Sequence, residues 1–309
     1  DPTADPHGAP DTAAAPSTVR DVWSVLLGDA TPKRRTLLDA GRQRRVARKA
    51  LLVGIDVYQD PAFAPLQGSV NDVLAMSELL QTRFGYRAED IRVLTDTRAT
   101  TARLQDRLEW LLANTRSSDQ RVFYFSGHGT QLPAYNALEV VDRVDECLVT
   151  HDFDWNRPET AFVDDDFMEL YSQLPHGARF TAIFDCCHAA GMSRAGGGQV
   201  RGVGVPEDVL HRMRRFAQGE WTMRTVQPRS KAVRNEAGPS LAHVALGTAQ
   251  ALRPKRRALE TDPVVRGHGG PYLPVLLYAT QEDALAYEYR DGREVRGAFS
   301  WALTRALAE

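Results

Sequence analysis

The sequence of 309 residues contains only three cysteines, Cys147, Cys186 and Cys187, and two of them are neighbours. Adjacent cysteines rarely pair, so these three cannot form a disulfide framework, and a reducing, cytoplasmic location is expected. No apolar run approaches the ~20 residues that a membrane-spanning helix needs. The sequence does not begin with methionine, and a removed signal peptide is compatible with that start.

The chain also lacks an excess of charge of either sign. It contains 38 Lys and Arg residues against 40 Asp and Glu residues, which gives a net charge of −2. Bulk electrostatics therefore gives no reason to expect nucleic acid or an anionic membrane as a partner. A hydrophobic content of 43% is that of a globular protein. We expect a monomer with no nucleic-acid and no membrane partner.

Three regions lack the apolar periodicity of a folded core. Residues 1–19 are mostly Pro, Ala, Asp and Thr and predict a flexible leader. Residues 20–47 combine a short helical pattern with a basic run, which indicates either a solvated helix or a prodomain that folds back. Residues 192–270 predict a long, basic, exposed insertion with one helix around residues 207–217, because residues 201–257 hold twelve Lys and Arg against four Asp and Glu.

Apolar strands alternate with amphipathic helices in the rest of the chain. Strands are predicted at residues 49–58, 91–96, 121–129, 180–191 and 275–281, and helices at residues 71–84, 100–114 and 299–309. Asn71 or Ser69 is expected to cap the first of these helices. The alternation predicts an α/β domain over residues 48–309, with a mostly parallel sheet flanked by helices on both faces. Its large part is residues 48–191 and its small part residues 271–309.

Two predicted strands end in reactive side chains. Ser126-Gly127-His128-Gly129 follows the third strand, and Asp185-Cys186-Cys187-His188 follows the fourth. If the two strands are parallel neighbours, a thiol and an imidazole emerge on one rim, which is the arrangement for nucleophilic catalysis. The glycines beside His128 allow a substrate backbone to approach, and the Gly129 N–H is free to bind an oxyanion.

A structural role is the alternative for each cysteine, because cysteine is among the most buried residue types. That interpretation is favoured for Cys186 and Cys147, whereas Cys187 by itself fits either role. The combination of the two motifs favours the catalytic role for Cys187.

These motifs resemble those of the metacaspases and their prokaryotic relatives, the orthocaspases, which are caspase-like cysteine peptidases. The resemblance begins with SGHGT at 126–130 and DCCHAAG at 185–191, where Cys187 follows His128 by 59 residues. It extends over residues 48–309 apart from the insertion, through KALLVGIDVY with LQGSVNDV, VDRVDECLVTHD, FVDDDF and LLYATQEDALAYE with GAFSWAL. The resemblance implies the caspase-hemoglobinase fold.

The resemblance also implies roles for individual residues. Cys187 matches the nucleophile and His128 the general base and acid, while the backbone N–H groups of Gly129 and Cys187 would form the oxyanion hole. Cys186 falls at a variable position, and no catalytic role is implied for His188. Asp185 and Asp72 match the two aspartates of the first specificity pocket.

Two carboxylates in a small pocket require a cation, which favours peptide substrates with Arg, and as a second option Lys, before the scissile bond. For Asp72 the alternative is a charge that stabilises a helix N-terminus.

The stretch from residue 142 to 169 holds ten Asp and Glu but only two Arg. Such a stretch is usually a solvated surface, although clustered carboxylates are also what calcium requires. The resemblance implies calcium as an activator, bound by Asp145, Asp164 and Asp165, with no cofactor needed for the chemistry itself. A further family ligand position is occupied here by Arg194, which weakens that prediction.

The sequence thus predicts a cysteine endopeptidase that cuts after Arg and processes itself within the insertion. The expected self-cleavage sites are Arg214, Arg215, Arg224, Arg229, Arg234, Arg253, Arg256 and Arg257. The alternatives are a catalytically silent caspase-like scaffold and another Cys-His peptidase, of the separase or gingipain type. GHGG at 267–270 could belong to a lipase, but no G-x-S-x-G motif accompanies it.

Overall fold

A computed structural model describes residues 46–133, 144–157, 160–187, 199–209, 274–280, 284–292 and 294–309. The predicted leader, nearly all of residues 20–47, and residues 192–198 and 210–270 of the predicted insertion lie outside the described residues. In chain order the elements are β1 Arg48–Gly54, α1 Ser69–Phe84, β2 Ile91–Thr95, α2 Thr101–Leu112, β3 Gln120–Ser126, β4 Gly129–Pro133, β5 Val144–Leu148, β6 Phe162–Val163, α3 Asp164–Tyr171, β7 Arg179–Asp185, β8 Val275–Tyr278, β9 Glu288–Asp291, β10 Glu294–Gly297 and α4 Ala298–Ala308.

Five parallel strands form the central sheet in the order β2-β1-β3-β7-β8. The register pairs Gly54 with Ser126 and Ser126 with Asp185, so the three central strands end at the same level. Loops that follow these strands therefore meet at one edge of the sheet, where ligands of parallel sheets usually bind.

Helices cover both faces of this sheet, as predicted. Side chains alternate between the faces along each strand, so Leu51 and Val53 of β1 pack in one core cluster and Ala50 and Leu52 in the other. The first cluster includes leucines of α2 and Phe167 and Leu170 of α3. The second includes residues of α1 and α4, such as Met76, Leu80, Leu303 and Leu307. In the described part of the chain, no helix is both long and apolar enough to span a membrane.

Two smaller sheets flank the central one. Strands β4, β5 and β6 form an antiparallel sheet, and β9 and β10 form an antiparallel hairpin. Gly292, at the hairpin turn, has a φ of 62°, a backbone conformation that glycine adopts at low cost. Strand β10 leads directly into α4, with Gly297 at the junction.

The start of α1 differs from the prediction. Gly68 occupies the N-cap position and neither Asn71 nor Ser69 caps the helix through its side chain. Instead the Asp56 carboxylate, from the loop after β1, accepts hydrogen bonds from the backbone N–H of Ser69 at 2.8 Å and of Val70 at 3.3 Å. A distant carboxylate thereby satisfies the unpaired N–H groups of the first turn.

We predict that Asp56→Ala lowers the free energy of unfolding by about 1–2 kcal/mol, because the first turn of α1 loses its acceptor. Urea unfolding followed by circular dichroism measures the change. Glu78→Ala, at an exposed position of the same helix, is the matched control and should leave the midpoint nearly unchanged. Equal stability of the two variants would show that Asp56 does not cap the helix.

Candidate active site

His128 and Cys187 lie directly beyond the ends of two neighbouring parallel strands, β3 and β7. A hydrogen bond from Gly127 N–H to the Asp185 carbonyl oxygen, at 3.3 Å, joins the two loops. The structure thus brings the imidazole and the thiol to the same rim of the sheet, as the sequence predicted.

The His128 ring is almost fully buried, with 1% of the residue exposed. Its Nε2 lies 2.7 Å from the Ala64 carbonyl oxygen, which can only accept, so the ring proton resides on Nε2. Nδ1 is buried and makes no hydrogen bond with any described residue, so its lone pair can accept a proton. Tyr58 fixes the residue further: its hydroxyl accepts from the His128 backbone N–H, and the two rings lie 4.9 Å apart.

Burial lowers the pKa of His128 to about 4, and the positive charge of Arg201 contributes, although the Ala64 hydrogen bond acts in the opposite direction. The imidazole is therefore neutral at neutral pH, which is the state that a general base requires.

The Cys187 sulfur contacts the backbone of Ala286. Sγ accepts a hydrogen bond from Ala286 N–H at 2.7 Å and lies 3.4 Å from the Ala286 carbonyl oxygen. Burial raises the pKa of the Cys187 thiol, although hydrogen bonds from the backbone of Ala286 and Arg201 partly oppose it. The sulfur therefore carries its proton in this arrangement and needs a base to become a thiolate.

The other two cysteines belong to the packed interior. Cys186 and Cys147 are both 0% exposed and lie in the same core cluster, and neither forms a disulfide. Burial raises the pKa of Cys186 well above its ordinary value. These surroundings fit the structural role that the sequence favoured for both residues.

Two backbone donors converge on one carbonyl oxygen beside the thiol. The Cys187 N–H and the Gly129 N–H both donate to the carbonyl oxygen of Arg201, at 2.8 and 3.3 Å. A Cβ at position 129 would lie 2.1 Å from the Cys187 carbonyl oxygen, so this close approach requires glycine. These are the two donors expected in an oxyanion hole, and here they hold a peptide carbonyl.

Asp72 and Asp185 form the base of a pocket that holds the Arg201 guanidinium. Arg201 Nη2 lies 2.8 Å from Asp72 Oδ2, and Nη1 lies 3.2 Å from Asp185 Oδ2. Ser126 links the group, because its Oγ accepts from Arg201 at 2.6 Å and donates to Asp72 at 3.0 Å. All three charged side chains are 0% exposed.

The rest of the pocket comes from the hairpin and from α4. The Gly297 N–H donates to both Asp72 oxygens, at 3.1 and 2.9 Å, and the Ser300 N–H donates to Asp185 at 3.1 Å. A Cβ at position 297 would lie 2.5 Å from Arg201 Nη1 and 2.0 Å from Asp185, so only glycine leaves room for the guanidinium. Glu288 adds a third carboxylate, 3.6 Å from Arg201 Nη2.

Opposite charges determine the ionisation of this cluster. Burial raises the pKa of Asp72 to about 6, with Arg201 lowering it and Asp185 raising it. For Arg201 burial acts to lower the pKa, but the nearby Asp185 and Asp72 outweigh it and the pKa lies above its ordinary value. The guanidinium is therefore positively charged, and the aspartates neutralise it.

The segment around Arg201 differs from the predicted exposed insertion. Val200 forms an antiparallel bridge to Tyr287, and Gly202 forms a parallel bridge to Gly129. Arg201 is 0% exposed because backbone pairing on both sides carries it into the pocket. The insertion is thus wrongly predicted as exposed at this point, since a short paired segment leaves no apolar periodicity to detect.

The residues expected to bind calcium are only partly described. Asp164 begins α3 and lines a small cavity together with Glu146, Phe167 and Tyr278. Among the described residues no three His, Cys, Asp or Glu side chains lie close enough together to hold a metal ion. The side chains of Asp145 and Asp165, as well as Arg194 and the predicted self-cleavage arginines, lie outside the described set.

Sequence reasoning missed several groups of this site. Arg201, Tyr58, Ser126 and Gly297 were not predicted, nor was the Ala64 carbonyl that orients His128. One signal existed for Arg201: two buried carboxylates in one pocket require a cation, and an Arg-Gly pair follows Cys187 by fourteen residues.

Comparison with known proteins shows which family part of the chain resembles. The family model described as metacaspase, peptidase C14 domain, matches residues 48–194. Metacaspase-1 of Schizosaccharomyces pombe is 37% identical over 151 residues, which are 47% of this chain and 34% of that protein. Metacaspase-1B of Aspergillus oryzae is 29% identical over 278 residues, which are 84% of this chain and 60% of that protein. The chain thus spans between about a third and three fifths of the curated relatives it matches.

A crystal structure of a Geobacter sulfurreducens protein resembles the fold, with a TM-score of 0.50 and 19% identity over 85% of this chain and 82% of that one. That likeness concerns the fold alone. The parallel sheet with helices on both of its faces is the α/β architecture predicted from the sequence. Residues 48–194 thus match the metacaspase family of caspase-like peptidases, the family that the sequence motifs resemble.

Proposed function

We propose that this chain is a cysteine endopeptidase that cuts peptide bonds after Arg, and also after Lys, with a Cys187–His128 dyad. The observation that carries the proposal concerns one residue, Arg201. Its guanidinium lies between Asp72 and Asp185, and its main-chain carbonyl oxygen accepts hydrogen bonds from the Cys187 and Gly129 N–H groups. Specificity pocket and oxyanion donors are thereby connected through one arginine. Cysteines that form no disulfide fit a reducing, cytoplasmic setting for the enzyme.

The proposed reaction begins with proton transfer from the Cys187 thiol to His128 Nδ1, the ring nitrogen that has a free lone pair. The thiolate adds to the carbonyl carbon, and the oxyanion is held by the two backbone N–H groups. Collapse breaks the C–N bond, and the amine leaves with the proton from His128. Water then gives a proton to His128, attacks the thioester and releases the carboxylic acid, and the thiol is restored.

Arginine suits this pocket better than lysine because its planar guanidinium can reach two carboxylates and Ser126 at once. Lysine has a single ammonium group on a shorter side chain and should bind more weakly. Substrates with acidic residues at this position are disfavoured, because three carboxylates already surround it.

A catalytically silent scaffold is the second candidate. It is favoured by the protonated thiol and by the lack of a hydrogen bond at His128 Nδ1 among the described residues. Apo geometry alone does not decide the point, because such hydrogen bonds often form only when a substrate reacts. Absence of turnover on every Arg and Lys peptide would support the scaffold.

We predict that Cys187→Ala abolishes hydrolysis of a fluorogenic Arg peptide, because the variant lacks the thiol that the proposed reaction uses as its nucleophile. Cys186→Ala is the matched control, since its sulfur lies in the core cluster, and it should retain most of the activity. Thermal unfolding of both variants checks that they fold. An Arg-directed alkylating probe that still labels Cys187→Ala would refute the nucleophile assignment.

The pH dependence of peptide hydrolysis follows from the ionisation of Asp72. Burial raises its pKa to about 6, and the charge of Arg201 opposes that rise. Since an incoming Arg needs the ionised carboxylate, kcat/KM on Arg peptides should rise with pH through a step near pH 6.

Asp72→Asn should remove that step and lower kcat/KM at least 30-fold, because losing one partner of a buried charge pair costs about 2–5 kcal/mol. Asp106→Asn, an exposed residue of α2, is the control and should leave the profile as it is. If Asp72→Asn keeps the wild-type pH profile, the pocket has been assigned to the wrong residues.

We also propose calcium as an activator, on the strength of the acidic stretch that contains Asp164. Added calcium should raise activity relative to a chelator, and Asp164→Asn should reduce the effect. Isothermal calorimetry on the whole chain gives a second readout, the binding of the ion itself. Equal activity in calcium and in chelator, with no binding heat, would reject calcium dependence.

A further inference from the structure

Residues 199–203 cross the catalytic cleft as an extended peptide. On one side Arg201 N–H donates to the Ala286 carbonyl at 3.0 Å and Glu288 N–H donates to the Gln199 carbonyl at 2.8 Å. Val200 between them forms the antiparallel bridge to Tyr287. This is the main-chain pairing by which extended peptides add to a strand edge.

The same segment continues past the thiol. Val203 N–H donates to the Gly129 carbonyl at 3.0 Å, and the Thr130 hydroxyl donates to the Val203 carbonyl at 2.8 Å. The chain is therefore held on both sides of one peptide bond, the bond between Arg201 and Gly202. The carbonyl oxygen of that bond is the one that accepts from Cys187 and Gly129.

The buried Arg201 side chain also blocks the pocket. The pocket is filled, since Arg201, Asp72 and Asp185 are all 0% exposed. A guanidinium from another peptide can bind only after Arg201 leaves. The segment is therefore both a ligand of the site and an obstruction to it.

We propose that residues 199–203 are bound as the chain's own first substrate, so that Cys187 cuts the Arg201–Gly202 bond and the cleft is closed to other peptides until it does so. This inference rests on the proposed function, and it adds the identity of the bond and the block. It places self-cleavage upstream of Arg214 and the seven other arginines that the sequence had suggested.

Self-cleavage follows the same steps as the proposed reaction on other peptides. Cys187 Sγ forms a thioester with the Arg201 carbonyl carbon, and the Gly202 nitrogen leaves with the proton that His128 Nδ1 received from the thiol. One water then hydrolyses the thioester. The products are residues 1–201, ending in a carboxylate, and residues 202–309, beginning with an amine. Arg201 is then free to withdraw, because no peptide bond any longer ties it to Gly202.

Intact mass spectrometry and an Arg-peptide assay on the same samples test the proposal. The wild-type chain should give fragments 1–201 and 202–309, whereas Cys187→Ala should stay a single chain. Arg201→Lys, which keeps a positive charge in the pocket, should be cut at the same bond but more slowly. Arg201→Gln should lower the rate of that cut at least 100-fold. Arg103→Gln, an exposed residue of α2, is the matched control and should be cut like the wild type.

The same experiments distinguish a failure of this inference from a failure of the proposed function. Wild-type protein that hydrolyses Arg peptides but yields no fragment ending at Arg201 overturns this inference and leaves the proposed function intact. Protein that cuts neither peptides nor itself overturns both. Fragments that end only at Arg214 or beyond also refute the assignment of this bond.

A binding experiment covers the case in which Arg201→Gln does not fold. Agmatine, a guanidinium compound of the size of an arginine side chain, is added to Cys187→Ala and to Cys187→Ala/Arg201→Gly. It should raise the unfolding temperature of the double variant, whose pocket is vacated, and leave that of Cys187→Ala unchanged. Equal shifts in both would mean that Arg201 does not fill the pocket.

Discussion

The structure depends on the neutralisation of charges that are buried together away from water. Burying a single ion in a protein costs several kcal/mol, and the cost is recovered only when opposite charges and hydrogen bonds replace the lost water. Here the Arg201 guanidinium lies within ion-pair distance of two aspartates, which also accept hydrogen bonds from the backbone N–H groups of Gly297 and Ser300. The start of α1, the end of β7, the β10–α4 junction and the segment after Cys187 are consequently held together at one point.

The parallel register makes this meeting point possible. Ser126 and Asp185 pair across β3 and β7, so the residues that follow them leave the sheet side by side. His128 is then oriented by the loop after β1, through Tyr58 and the Ala64 carbonyl. The position of each reactive group is thus set by strand ends, and its orientation is set by loops that contribute backbone atoms.

This division explains how much the sequence could predict. Apolar periodicity indicates strands and helices, so the sheet, its helices and the rim carrying His128 and Cys187 could be predicted. Asp72 and Asp185 could be predicted as pocket residues through the family resemblance. Ala64 could not, because it acts through its carbonyl oxygen and any residue type can supply one. The two aspartates required a cation, but the choice of Arg201 could not be predicted. It depends on the backbone pairing of Gly202 with Gly129 and of Val200 with Tyr287, which leaves no pattern in residue type.

The short connection between Cys187 and Arg201 determines how a population of these molecules would behave over time. Thirteen residues, 188–200, join the sulfur to the arginine in its pocket. A bond presented by the same chain is cut in a first-order process, so its half-life does not change when the protein is diluted. A competing peptide must displace a segment of the same molecule, whose effective concentration is set by the connection and not by the protein concentration. Each molecule would therefore cut itself at a rate that does not depend on how many copies the cell contains.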